Sequence, residues 1–355
     1  MHLVDLLDAR SRPAAALLLT VTRRCPLSCA HCSTSSSMAS EQCDAELIER
    51  FVGTFTALDR PDFLLLTGGE PLLRPGLVRR LAELAGAVGC RTQVLTGMFF
   101  ARQDRIPAPV RAAIDAVGHL AVSIDAFHER EVPRAAVLRV LRQLLDEGKD
   151  VSVQLTGLGP DDPYLREATD DIRRTLDDRV PVLVGAVRSA GRAAAWLPRA
   201  VSRGRHTALP VPCAMASWPV VTFDGTVVAC CNQDVVDGLG GRLPDHLRLG
   251  HIAEDPWELI RTRHLRRPVL RAVRAFGPQY AAERAGRDCG GYCDTCVQTL
   301  AGPEAERAAD ALLREPFGQV VERQAGRLAA AEGADGFVRR YASERYAELV
   351  HLGHR

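Results

Sequence analysis

The sequence predicts an α/β fold in which a largely parallel sheet is covered by helices. Two observations carry this prediction: apolar runs of strand type recur between about residues 17 and 187, and amphipathic segments separate them. Strands that are apolar almost throughout are typical of parallel sheets, because helices bury both of their faces. A chain of 355 residues has room for one large domain with an appendage, or for two domains.

The elements follow one another in regular order. The predicted strands are 17–22, 62–67, 92–96, 120–125, 151–156 and 180–187. The predicted helices between them are 44–58, 76–87, 109–117, 133–147 and 164–178. These units are too few for a complete eight-unit barrel.

Composition excludes several classes of partner. The hydrophobic fraction of 46% and the charged fraction of 25% are ordinary for a globular protein. Forty-five Lys and Arg against 44 Asp and Glu leave a net charge of +1, which favours neither nucleic acid nor a membrane surface as partner. The apolar run 14–19 is too short for a signal peptide or a membrane span, so we expect a cytoplasmic protein.

A cysteine triplet directly follows the first predicted strand. Cys25, Cys29 and Cys32 have the spacing C-x3-C-x2-C. Thiolates are soft ligands that suit iron–sulfur clusters, and three of them leave one iron of a four-iron cluster open. An open coordination position is typical of a catalytic metal site, whereas a zinc knuckle or buried structural thiols are the alternatives. We call these three residues the first cysteine site.

This triplet resembles the cluster motif of the radical S-adenosylmethionine (radical SAM) superfamily, with His31 where the family often has an aromatic residue. The resemblance implies a partial (β/α)6 barrel with the cluster loop after its first strand. It also implies that the open iron binds S-adenosylmethionine. One electron from the reduced cluster would cleave this cofactor to a 5′-deoxyadenosyl radical, which abstracts a hydrogen atom from the substrate.

Two further strand ends match the same family. Gly68, Gly69 and Glu70 follow the second strand and resemble the motif that binds the methionine part of the cofactor; an ordinary turn is the alternative. Ser123 and Asp125 end the fourth strand and resemble groups that touch the ribose or the methionine; an ordinary polar strand end is the alternative.

A basic stretch follows the sixth strand. Arg192, within Gly191-Arg192-Ala193, resembles a short motif of the relatives and is predicted to bind the cofactor. The neighbouring arginines could hold a carboxylate or phosphate, or form a solvated linker; they are Arg188, Arg199, Arg203 and Arg205.

The other cysteines divide into groups. Cys43 and Cys90 are isolated and are expected to be small core residues. The pattern C…G-x4-C…C-x2-C around a predicted 218–228 hairpin resembles the twitch or SPASM extensions, which carry auxiliary iron–sulfur clusters. The resemblance implies one auxiliary four-iron cluster, and zinc is the alternative. Its four ligands, which we call the second cysteine site, would be Cys213, Cys230, Cys293 and Cys296.

Two cysteines remain as candidate catalytic thiols. Cys231 follows Cys230 on a β-type run, where neighbouring side chains point to opposite faces, so one cluster does not use both. Cys231 is then either a buried structural thiol or the donor of a hydrogen atom to a substrate radical. Cys289 is the rival donor, or a further cluster ligand.

These patterns together predict three parts and one type of chemistry. Residues 1–190 would form the partial barrel, 191–300 the auxiliary extension with a helix over 256–276, and 301–355 a helical tail with helices near 308–313 and 337–352. The resemblance implies a radical SAM enzyme supplied with electrons by a flavodoxin or ferredoxin. We expect oxidation or epimerisation of a small sugar or aminocyclitol, as in antibiotic biosynthesis. Maturation of a ribosomally made peptide and a non-catalytic iron–sulfur or zinc scaffold are the alternatives.

Overall fold

A nine-stranded sheet organises the molecule. The computed structural model describes residues 1–103, 105–198 and 211–354. The strand order is β6-β5-β4-β3-β2-β1-β7-β8-β9, and the pairs from β1 to β6 are all parallel. The strands are β1 Ala16–Thr22, β2 Phe63–Gly68, β3 Arg91–Thr96, β4 His119–Asp125, β5 Val151–Gly157, β6 Val182–Ala186, β7 Val220–Val221, β8 Thr226–Val228 and β9 Arg248–His251. The predicted partial barrel is confirmed.

Side chains on the six parallel strands alternate between two environments. One set, which includes Leu17, Leu19 and Leu64, is fully buried beneath the surrounding helices. The other set faces the concave side of the sheet, as expected from the two-residue period of a strand, and part of it is partly exposed. It includes Leu18, Leu65, Thr67, Leu95, Ser123, Gln154 and Thr156.

The extension continues the barrel sheet. Strand β7 pairs in parallel with β1 through Leu18 and Val220, and β8 is antiparallel to both β7 and β9. The hairpin turn lies at Asp224-Gly225 as predicted, and Gly225 has a φ of +90°, which favours glycine. The side chain of Arg23 stacks over Phe223 at 4.5 Å, so the hairpin tip lies beside the start of the first cysteine loop.

The helices differ from expectation where turn residues intervene. They are α1 Leu3–Asp8, α2 Ala45–Val52, α3 Pro75–Ala87, α4 Ala108–Ala116, α5 Arg134–Asp146, α6 Pro163–Leu176, α7 Gln233–Val236, α8 Trp257–Arg266, α9 Pro268–Phe276, α10 Pro278–Arg284, α11 Tyr292–Asp294, α12 Pro303–Arg314 and α13 Pro316–Tyr341. The helix predicted over 44–58 ends at Gly53 instead. The helix predicted over 256–276 is two helices, because proline at position 268 cannot continue the first.

The two chain ends pack together on the barrel. Helix α13 contacts α1, and the amide of Ala334 donates to Asp8 at a kink where Gly333 has a φ of +50°. The helix predicted over 337–352 is wrong, since α13 ends at Tyr341 and a 3-10 segment, Glu344–His351, follows. Among the described residues, no helix is long and apolar enough to cross a membrane.

Candidate active site

The first cysteine loop is tied to the neighbouring strand by backbone hydrogen bonds. The amide of Gly69 donates to the carbonyl of Thr22 at 2.7 Å, and the amide of Glu70 donates to that of Arg24 at 2.8 Å. Within the loop, the amide of Cys32 donates to the carbonyl of Cys29 at 3.2 Å. The ends of β1 and β2 therefore fix one another.

Gly68 and Gly69 are required by this close approach. Gly68 has a φ of +142°, and a Cβ there would lie 2.1 Å from the carbonyl oxygen of Thr22. A Cβ on Gly69 would lie 2.4 Å from the carbonyl oxygen of Arg24. The backbone of these two glycines therefore lies directly against the chain's own cysteine loop. Contact of these glycines with a cofactor stays a prediction.

Glu70 is fully buried and accepts hydrogen bonds from three groups of the chain. Its carboxylate accepts from the amide of Leu72 at 2.9 Å, from the hydroxyl of Thr96 at 2.9 Å and from the amide of Gly97 at 2.9 Å. Burial raises the pKa of Glu70 to about 7, although these hydrogen bonds oppose the rise. The carboxylate is thus held rigidly at the end of β2.

The three thiols of the first cysteine site have unequal surroundings. Burial raises the pKa of Cys25 to about 12, and Glu70 and the other two thiols add to the rise. Burial alone would raise the pKa of Cys32 too, but hydrogen bonds from Thr34 and the charge of Arg192 lower it. Cys32 is therefore the thiol best prepared to act as a thiolate ligand.

Within the described residues, the cysteine sulfurs form no compact set of three. Zinc binds thiolate at about 2.3 Å, which brings the sulfurs of a tetrahedral site to within about 4 Å of one another. Across the described parts of the chain, no three cysteine sulfurs lie within 4.8 Å of one another. A polynuclear cluster, whose thiolates bind different irons, fits such wider sets.

Asp125 lies below the cysteine loop and binds two histidines. It is 1% exposed, accepts from Nε2 of His31 at 3.2 Å, and forms a short hydrogen bond with Nδ1 of His128. Burial alone would raise the pKa of Asp125, but the histidines hold it well below its usual value. Burial alone would lower the pKa of His128, but hydrogen bonds with Asp125 and Cys29 raise it to about 10. The predicted Asp125 is thus linked to the cysteine loop through His128, which the sequence did not single out.

A strap formed by residues 190–197 covers the cysteine loop from the end of β6. Nε of Arg192 donates to the carbonyl of Cys29 at 2.8 Å, and its Nη1 donates to that of Ser36 at 2.6 Å. The indole of Trp196 donates to the carbonyl of Ala30 at 3.0 Å. Arg192 therefore holds the cysteine loop, and its predicted contact with the cofactor stays a prediction. Of the other predicted arginines, Arg199, Arg203 and Arg205 lie outside the described residues.

Stacked rings continue from the strap to the loop. The rings of Trp196 and Phe127 have centroids 5.5 Å apart, and those of Phe127 and His31 are stacked at 4.8 Å. Trp196 is 42% exposed, so the stack borders solvent. His31, which stands where the family often has an aromatic residue, is thus in ring contact with Phe127. Sequence reasoning missed Trp196, whose distance from Phe127 along the chain gives no signal.

The second cysteine site is assembled from distant segments. Cys213, Cys230, Cys293 and Cys296 are electrostatic neighbours of one another. Burial raises the pKa of all four thiols. Such thiols stay protonated until a metal displaces the protons, so metal binding and proton release are coupled here.

The two remaining thiols lie in different places. Cys231 is partly buried, and its Sγ contacts Sδ of Met215 at 3.5 Å. Cys289 is exposed, and its Sγ donates to the carbonyl of Gln279 at 3.4 Å. Cys289 has Glu283 and Asp288 as its charged neighbours instead of the second cysteine site. The isolated Cys43 and Cys90 are buried, as predicted.

Comparison with known proteins agrees with this geometry over the barrel. The Radical SAM superfamily profile matches residues 19–172. The chain is 33% identical over 128 residues to a PqqA peptide cyclase of Rhizobium meliloti, covering 35% of this chain and 32% of that protein. It is 29% identical over 149 residues to a GTP 3′,8-cyclase of Geobacter sulfurreducens, covering 40% and 44%. The chain thus spans less than half the length of these curated relatives.

A solved structure resembles the chain over a longer stretch. Streptococcus suis SuiB bound to its precursor peptide SuiA superimposes with a TM-score of 0.51 at 12% identity, over 78% of this chain and 70% of that one. At this identity the likeness concerns the fold alone. Radical SAM domains use S-adenosylmethionine and a four-iron cluster, and the barrel, the cysteine triplet and the matched profile coincide here. Residues 19–172 of the chain therefore match the radical SAM superfamily.

Proposed function

We propose that this protein is a radical SAM enzyme with one auxiliary iron–sulfur cluster in its extension. The observation that carries the proposal is the first cysteine site, which β2, Asp125 and the strap hold from three sides. When bound, the cluster and S-adenosylmethionine supply a 5′-deoxyadenosyl radical that removes a hydrogen atom from the substrate. A flavodoxin or ferredoxin would provide the electron.

The chain's own residues bind and orient these groups. Cys25, Cys29 and Cys32 ligate the first cluster and leave one iron open to the cofactor. Glu70, held by Thr96 and the backbone, accepts from the amino group of the methionine part. The remaining proposed cofactor contacts are Gly68, Gly69, Ser123, Asp125 and Arg192. The ligands of the auxiliary cluster are Cys213, Cys230, Cys293 and Cys296.

The polar side chains on the concave side of the barrel are the reason for proposing a small polar substrate. Thr67, Ser123, Gln154 and Thr156 are partly exposed there and offer hydroxyl and amide groups. Such groups suit a hydroxyl-rich metabolite such as a sugar or aminocyclitol, which would undergo oxidation or epimerisation. We propose the three parts 1–190, 191–300 and 301–355 as barrel, auxiliary extension and tail.

A peptide substrate is the second candidate. It is supported by the name of one relative, a PqqA peptide cyclase, and by the fold shared with the SuiB complex that contains a precursor peptide. Cross-linking, epimerisation or oxidation of a ribosomally made peptide would use the same cofactor.

Cofactor cleavage is the first test of the proposal. Anaerobically reconstituted protein with dithionite and S-adenosylmethionine should release 5′-deoxyadenosine, whereas a non-catalytic iron–sulfur or zinc scaffold should release none. The protein would then be incubated with sugars or aminocyclitols and, separately, with short peptides encoded beside its gene. The class that gives a product identifies the substrate class.

Cys231 is the proposed hydrogen-atom donor if the outcome is epimerisation. Its thiol would transfer hydrogen to the substrate radical, and the thiyl radical left behind would take one electron and one proton from the reductant and solvent. Turnover in heavy water should then place deuterium in the product. C231A should still form 5′-deoxyadenosine and lose the deuterated product. Normal product from C231A would favour dehydrogenation instead and leave Cys231 as a structural thiol.

A further inference from the structure

Arg10 is a charged side chain that the proposed function does not use. It lies in the 3-10 segment Ala9–Ser11 between α1 and β1. Its guanidinium carbon lies 3.7 Å from the ring centroid of Trp218 and 5.7 Å from that of Phe337. The indole of Trp218 in turn donates to the carbonyl of Ala9 at 3.3 Å, which fixes the two residues against each other.

Arg10 has no carboxylate partner among the described residues. Its Nη1 is buried and has no hydrogen-bond partner among the described residues. No carboxylate in that part of the chain pairs with it. A buried charge is costly unless another charge compensates it, and ring faces compensate a cation only in part.

The groups that do face Arg10 belong to the second cysteine site and its surroundings. The segment Ala9–Ser11 contacts the segment Ala214–Ser217, which directly follows Cys213, and Cys231, Cys213 and Tyr341 are the electrostatic neighbours of Arg10. The hydroxyl of Tyr341 accepts from the amide of Ala214, which follows Cys213 directly. A second buried arginine, Arg274, has Cys213 as a neighbour too and donates to backbone carbonyls instead of a carboxylate.

We propose that Arg10 is a positioning residue that supplies countercharge to the auxiliary cluster and thereby raises the reduction potential of that cluster. Four thiolates and a four-iron core carry net negative charge, which a nearby guanidinium offsets. Net charge and hydrogen bonds at the sulfurs are two of the factors that set such potentials. The inference rests on the proposed auxiliary cluster at the second cysteine site.

The test is a redox titration of the reconstituted holoprotein followed by electron paramagnetic resonance. R10M and R10Q remove the charge, and R10K keeps it. R12M is the matched control, because Arg12 lies two positions away and pairs with Asp62 on the surface. We expect R10M and R10Q to lower the equilibrium constant for reduction of the auxiliary cluster at least tenfold, about 59 mV for one electron. R10K should shift it less, and R12M should leave it unchanged.

A second measurement separates this role from simple packing. Without metal, Arg10 is an uncompensated charge, so metal-free R10M should unfold at the same urea concentration as R12M or at a higher one. The potential of the first cluster, read in the same samples, should not move. A lower unfolding midpoint for metal-free R10M together with an unchanged auxiliary potential would overturn the inference and make Arg10 a packing residue.

The remaining outcomes separate this inference from the function on which it rests. Wild-type protein with four iron atoms and no auxiliary signal would refute the auxiliary cluster, and the inference with it. Two clusters in the wild type with equal auxiliary potentials in R10M, R10Q and R12M would refute the inference alone. Loss of the auxiliary cluster from both R10M and R10Q, but not from R12M, would make the role of Arg10 structural.

Discussion

The two cysteine sites are built in opposite ways. The first lies in one loop, and backbone hydrogen bonds from β2 and the strap hold that loop from outside. The second draws its thiols from the hairpin, the residues before it and the region around α11, and their common property is a raised pKa. A local loop that supplies three thiols, one fewer than a four-iron cluster can bind, suits a cluster that must bind a cofactor. A full set of four thiols suits a closed cluster.

The largest effect should come from breaking the first site alone. C25A, C29A and C32A should each lower 5′-deoxyadenosine formation at least about 10³-fold, because the cofactor binds only to that cluster. About four iron atoms per chain should remain, held by the second cysteine site. C90A is the control, since Cys90 is buried like Cys29 and lies in neither site. Cleavage at the wild-type rate by any of the three variants would refute the assignment.

Metal content tests whether the second site is a cluster at all. Reconstituted wild-type protein should contain about eight iron and eight sulfide per chain, and C213A or C296A about four of each. C289A should keep all eight, because the charged neighbours of Cys289 are Glu283 and Asp288 and not the thiols of the second cysteine site. One zinc per chain with half the iron would make the second site structural.

The difference between the sites explains what the sequence could predict. The strands and the first cysteine site follow from local patterns, because each occupies one short stretch. The contact of His128 with Asp125 was within reach too, only three residues away, but nothing marked that histidine as different from its neighbours.

The features that the sequence could not predict depend on contacts between distant parts of the chain. The pairing of β7 with β1 joins Val220 to Leu18, and the strap joins Arg192 to Cys29. Arg10 precedes the first strand and meets Trp218 only in the folded chain. No local period records such contacts, so only the structure gives them.

The strap offers a way to weaken the first site without touching its ligands. Gly191 has a φ of +53°, and a Cβ there would lie 2.4 Å from the carbonyl oxygen of Cys32. G191A should destabilise the strap by roughly 2–5 kcal/mol through backbone strain and overpacking. The first cluster should therefore lose iron to a chelator faster than in the wild type, while the second cluster keeps its iron.

Gly240 provides the control, because a side chain there would cause backbone strain but no steric clash. Its φ is +62°, but no atom lies within 4 Å of the Cβ position. G240A should therefore retain iron at both sites like the wild type. Equal iron loss from the two variants would show that the strap does not hold the cysteine loop.

The smallest effect concerns two buried histidines that respond to pH in opposite directions. Burial lowers the pKa of His246, which is 2% exposed, from 6.5 to about 4. The neutral folded form therefore contributes stability above pH 6.5 that is lost as the pH falls towards 4. His128, with a pKa raised from 6.5 to about 10, contributes stability below pH 6.5 that is lost as the pH rises towards 10.

Urea unfolding of metal-free protein should show this opposition. The stability of wild type relative to H246L should fall by about 1–3 kcal/mol between pH 6.5 and pH 4, and be flat above pH 7. The stability of wild type relative to H128N should be constant below pH 6 and should fall by a similar amount between pH 6.5 and pH 10. Taking differences cancels the other titrating groups, including His119 and His264, whose pKa values burial also lowers. Slopes of the same sign in both differences would mean that Asp125 does not hold His128 in its charged form, and the electrostatic contrast drawn here between the two histidines would fail.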